Sequence, residues 1–137
     1  MESYYIEPVE PVLRRFVEDF RNAVAREAPG RSRLDALRAP VEVLLADTSW
    51  IKPEFLEPVP NTTATWAVYR SQEPDLCIFT MVVPPLNATK VHNHLADGWV
   101  GLVQGAQIER QFRRFDDGTR PGFADVRQVE EHPIRPG

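Results

Sequence analysis

His92, Asn93 and His94 set two imidazoles at positions i and i+2. On an extended segment such residues share a face, because side chains along a strand alternate. Two neutral imidazoles on one face can grip a single metal ion, and this donor suits iron, zinc, copper and nickel alike. The same spacing also occurs in pairs of solvated loop histidines, so the neighbouring residues decide the reading. Thr89-Lys90-Val91 leads into the pair, and Trp99-Val100-Gly101-Leu102-Val103 leads out of it as an alternating segment. That segment ends at Gln104-Gly105, the glycine standing eleven residues after His94. The pair thus reads as standing at the mouth of one strand, with a second strand and a glycine turn after it.

The elements around this pair follow from pattern. Pro8 and Pro11 precede Val12, Leu13, Phe16, Val17, Phe20 and Val24, spaced as one face of a helix that stops before Pro29-Gly30. Ser32 and Asp35 form a capping-box pattern for a second helix carrying Leu34 and Leu37, interrupted or restarted at Pro40 and continuing through Val41, Val43, Leu44 and Leu45. Residues 49–64, with Pro53, Pro58 and Pro60, read as an irregular crossing.

From Ala64 the period becomes that of strands. Thr65–Arg70 and Leu76–Val83 are the first two, and Pro84-Pro85 with Asn87 marks a turn before the histidine strand. Trp99–Val103 and Ala106–Phe115 are expected to form a hairpin across Gln104-Gly105. Asp116-Asp117-Gly118 is a further turn signal, and Ala124–Val129 a last short strand. Helices followed by successive antiparallel strands imply a mainly β, α+β chain with a barrel or sandwich. One domain is expected over 1–137, with a helical cap over 1–48 and the barrel part over 64–137.

Composition narrows the partners. The net charge of −4 comes from interspersed signs, with no basic patch interleaved with aromatics, which argues against nucleic acid. No run of eighteen apolar residues exists, and Met1-Glu2-Ser3-Tyr4-Tyr5 does not resemble a signal peptide. A single cysteine, Cys77, excludes an intrachain disulfide framework and fits a reducing cytoplasm. Within Leu76-Cys77-Ile78-Phe79 it is expected to be a buried apolar residue rather than a nucleophile.

From about Leu44 onward the chain resembles the cysteine dioxygenase-like branch of the cupins, the bacterial thiol dioxygenases. The resemblance rests on Leu44-Leu45-Ala46-Asp47, Ser49-Trp50, Val68-Tyr69-Arg70, Pro84-Pro85, His92-Asn93-His94 and Gly98-Trp99-Val100-Gly101-Leu102 running to Gln104-Gly105. It implies a double-stranded β-helix barrel in which His92 and His94 ligate non-haem Fe(II). It further implies that Arg70 pairs with the carboxylate of a small thiol, of the cysteine or 3-mercaptopropionate type, which O2 converts to a sulfinate. A guanidinium fork suits that task, since it matches a carboxylate bidentately; Arg70 can equally be a solvated strand-end residue. Gly98 stands near the place where eukaryotic relatives carry a crosslinking cysteine, so no crosslink is expected.

The third histidine of such sites has no counterpart here. Val129-Glu130-Glu131-His132-Pro133-Ile134-Arg135-Pro136-Gly137 reaches only what resembles the entry to the strands that would carry it. His132 falls too early and reads as a loop residue beside Pro133, while Asp97, three residues after His94, reads as a turn residue or as a carboxylate ligand. The expectation is therefore a barrel incomplete at its C-terminal end, with weak iron binding and an open edge that favours a homo-oligomer. Two further functional readings stay open: a non-catalytic cupin that binds a ligand or partner, and a metal-dependent cupin enzyme acting on a non-thiol.

Overall fold

Proline and glycine set the helix boundaries. In the computed structural model, which describes residues 10–137, helix α1 (Pro11–Arg26) starts with Pro11 in its first turn, where the missing N–H costs nothing. Its apolar stripe buries Leu13, Phe16, Val17 and Ala23. Helix α2 (Arg31–Ala46) starts directly after Gly30, whose φ of +104° only glycine adopts without strain.

The Ser32/Asp35 capping box does not form. Ser32 lies inside the first turn and its hydroxyl donates to the Glu27 side chain, while Asp35 takes Arg31 at 3.2 Å. Glycine won this position because the tight Pro29-Gly30 reversal needs positive φ at the residue where a side-chain cap would sit. Nor does Pro40 interrupt α2, which runs through it. A mid-helix proline costs about 3 kcal/mol, and burial of Leu37 and Leu44 on either side of it offsets that loss.

Two 3-10 turns, Thr48–Trp50 and Pro53–Leu56, fill the crossing. Asp47 caps the first by accepting from the Ser49 backbone N–H at 3.0 Å. Trp50 is inserted beneath, its Nε1 donating to the Leu44 carbonyl at 2.9 Å. Strands β1 (Ala64–Gln72) and β2 (Asp75–Val82) form an antiparallel hairpin. One core joins these elements: Leu13, Phe16, Leu44, Trp50 and Val68, flanked by Val12, Val41, Ile51, Phe55, Leu76 and Ile78.

Strand β2 alternates cleanly, with Leu76, Ile78, Thr80 and Val82 half-buried and Cys77, Phe79 and Met81 exposed. The expectation of a buried Cys77 is thus corrected. An unbroken apolar run names no inward face, and Leu76 and Ile78 took it. Strand β1 carries a bulge between Ala67 and Tyr69, so consecutive Val68 and Tyr69 are both buried. Beyond the bulge the alternation is inverted, as a single extra residue requires.

The chain divides into two compact units at Trp99/Val100. The second holds β3 (Gln107–Arg114) paired antiparallel with β4 (Val126–Ile134). Two helices and two two-stranded antiparallel sheets make this an α+β chain, with no closed barrel among the described residues. The expected Trp99–Val103 strand and its hairpin across Gln104-Gly105 do not form, and neither His92 nor His94 lies on a strand. Gln107–Arg114 instead takes Val126–Ile134, a longer run than the expected Ala124–Val129, and that ladder includes His132, which is therefore a strand residue rather than a loop one. No helix among the described residues is long and apolar enough to cross a membrane.

Candidate metal centre

His92 and His94 stand on an irregular loop that leaves β2 after Val82. Pro84-Pro85 offers no N–H to a ladder, and a turn forms there when the Asn87 N–H donates to the Pro84 carbonyl at 3.2 Å. Further on, the Arg38 guanidinium of α2 lies 5.0 Å from the centroid of the Trp99 ring, a cation–π contact that ties that part of the loop to the helix.

Between these anchors the two imidazoles converge. His92 Nε2 and His94 Nε2 lie 3.2 Å apart, with ring centroids 5.1 Å apart and planes 25° from parallel. His92 Nδ1 sits 2.6 Å from the Lys90 carbonyl oxygen. A carbonyl only accepts, so Nδ1 carries the proton and Nε2 presents its lone pair toward His94. Metal-bound histidines are oriented in the same manner, the second ring nitrogen donating to a carbonyl or carboxylate. No sequence signal marks Lys90 for this role, because every residue supplies a carbonyl.

The separation can be tested against a shared ion. Metal–nitrogen bonds of about 2.0–2.1 Å put two ligand nitrogens about 2.8 Å apart at a right angle and about 3.4 Å apart at the tetrahedral angle. The observed 3.2 Å falls inside that interval. The pair therefore fits two positions of one coordination sphere. A third protein donor is not within reach: no group of three or more His, Cys, Asp or Glu side chains able to hold a metal occurs among the described residues. Both histidines are exposed, as is Asp97 on the same loop. His132 lies on β4, its Nε2 2.8 Å from a Glu130 carboxylate oxygen.

Arg70 owes its position to the β1 bulge. Counting inward from Ala64 and Val68 by twos would turn Arg70 toward the core, whereas the extra residue delivers it to the exposed face opposite Cys77. There its guanidinium meets the Asp75 carboxylate at 3.1 Å. The pair is at least half exposed on both sides, so it contributes little net stability. Asp75 was not singled out from sequence, although the short Glu73-Pro74 turn sets it diagonally across from Arg70. No family model matches this chain, and neither does any curated protein or solved structure.

Proposed function

We propose that this chain is a metal-binding protein of the thiol dioxygenase type, built on a cupin plan, in which His92 and His94 hold ferrous iron and Arg70 receives the carboxylate of a small thiol. The observation that carries the reading is the convergence of two Nε2 atoms to 3.2 Å with the His92 tautomer set by Lys90. Ferrous iron, when bound, supplies a single centre at which a thiolate and O2 meet, both oxygen atoms ending on sulfur as a sulfinate. The chain's own contribution is to present neutral nitrogen donors and to orient the acid end of the substrate through a fixed guanidinium fork.

The test is anaerobic loading with ferrous iron, followed by oxygen uptake and sulfinate analysis with cysteine, 3-mercaptopropionate and cysteamine. His92→Ala should abolish iron retention and uptake together. Arg70→Ala should weaken the two carboxylate-bearing thiols more than tenfold, the loss of a charge-assisted pair of about 1.5 kcal/mol, and leave cysteamine unaffected. Iron retention unchanged by His92→Ala would sink the reading.

A further inference from the structure

The histidine loop presents more than two donors. Val91 and Leu95, on either side of the pair, are 53% and 96% exposed, and Leu86 before them is fully exposed. Exposed apolar side chains next to a polar centre fit a surface that a partner covers. The metal set is also half of what a closed site takes, since closed sites are commonly four-coordinate and two imidazoles are present. The loop's charges are Lys90 on one flank and Asp97 on the other. With the two-fold axis through the metal and perpendicular to the loops, the two loops run in opposite directions and the Lys90 flank of each faces the Asp97 flank of the other. The surface is therefore complementary to itself in charge, as an isologous contact requires.

We propose that a divalent metal ion joins two copies of this chain, His92 and His94 of each copy supplying a four-imidazole set, with Val91 and Leu95 closing around it. The proposal rests only on the reading that this pair binds metal and names the source of the remaining ligands; a closed four-imidazole set is the structural use of the pair, distinct from thiol turnover, which needs open positions on the ion. Four neutral imidazoles leave the ion's double charge uncompensated. Any borderline ion that accepts nitrogen donors serves, and zinc is the natural probe because it has no redox chemistry and no geometric preference of its own.

The experiment is sedimentation velocity and metal titration of the full chain with zinc chloride and, under anaerobic conditions, ferrous iron, each with and without chelator. The expected result is a metal-dependent doubling of mass at one ion per two chains, reversed by chelator and by acidification, which protonates the nitrogens. His92→Ala and His94→Ala should each weaken binding at least a hundredfold, beyond the 10- to 100-fold typical of losing an outer hydrogen-bond partner. His132→Ala, on β4, should change nothing. Leu95→Glu should block dimerisation while the two imidazoles still bind one ion per chain. Metal bound at one ion per monomer by the unaltered chain would overturn the shared site and leave the metal-binding reading standing. Absence of metal binding would overturn both. A dimer that forms equally well with chelator, or in His92→Ala, would also overturn the bridge.

Discussion

β1–β2 and β3–β4 are antiparallel pairs of eight and nine residues, each interrupted by one irregularity, and their surroundings differ completely. The first pair turns Ala64, Val68, Tyr69 and Ser71 into a helix-backed core. Strands β3 and β4 bury none of their residues. In their place stand charged contacts: Arg110 with Glu131 at 2.8 Å across the ladder, and Arg127 with Asp125 at 2.7 Å. Where the connecting loop meets β3, Asp116 accepts from the Arg114 guanidinium and from the backbone N–H groups of Gly118 and Asp125. Such contacts specify register and turn geometry, but exposed ion pairs contribute little net stability and an isolated two-stranded hairpin is marginal. Burial decides which hairpin is a scaffold.

The strongest way to break this comparison is to remove the scaffold's keystone. Trp50, 6% exposed, joins α2, the crossing and β1–β2 through its ring and its bond to Leu44. Trp50→Ala should destabilise the first unit by about 3–5 kcal/mol, read as a fall in the urea midpoint. Phe112→Ala in β3, a half-exposed ring, should leave that transition within about 0.5 kcal/mol of its original value. Equal effects from the two substitutions would show that both hairpins draw on one core.

Acid should separate the hairpins next. The Arg114 guanidinium hydrogen-bonded to Asp116 holds that carboxyl far below the usual carboxylate range, and Arg127 lowers Asp125 and Arg110 lowers Glu131 in the same way. A carboxyl whose folded value is depressed stabilises the fold above its ordinary value, and that contribution is lost as the pH falls through the ordinary value toward the folded one. Amide exchange protection in Val126–Ile134 should therefore decline on acidification from about pH 5 to pH 2, before protection in Ala64–Gln72 changes. Asp116→Asn should lower protection at neutral pH and flatten its acid dependence. Parallel loss in both hairpins would refute the charge-held account of β3–β4.

The legible parts of this fold are those in which one residue type had one physical option. Pro11, Pro29 and Gly30 bound the helices, and the apolar spacing from Leu13 to Val24 identified the buried face of α1. β1 and β2 were readable because the run Leu76–Val82 is long and apolar. Hairpin pairing beyond Val83 was not readable. Trp99–Val103 and Ala124–Val129 both offer strand propensity, and only tertiary context chooses which of them Gln107–Arg114 takes and how far beyond Val129 the partner runs. The β1 bulge was invisible for the same reason: Val68-Tyr69-Arg70 reads as an ordinary alternating strand, and nothing local announces an inserted residue. At the candidate site, the i, i+2 spacing of His92 and His94 was expected to work through a strand. The structure brings the nitrogens together on a loop, through Lys90 and the turn at Pro84-Pro85.

The smallest expected effect concerns Arg70, and it asks whether an ion pair means the same thing in both hairpins. The Arg70–Asp75 side chains are 50% and 76% exposed, so the pair is mostly solvent-screened. β1–β2 is held by its buried face, and its strand register follows from Val68, Tyr69, Leu76 and Ile78 with or without the pair. Arg70→Gln should therefore shift the urea midpoint by less than the equivalent of about 0.5 kcal/mol, and raising salt should shift it no further. Arg110→Gln in β3 should, by contrast, measurably raise amide exchange around Glu131, because that hairpin has no buried face to fall back on. A loss above about 1 kcal/mol from Arg70→Gln would make the arginine a structural member of β1–β2. It would then be bound to Asp75 for the fold's sake, and could not exchange that carboxylate for a substrate's.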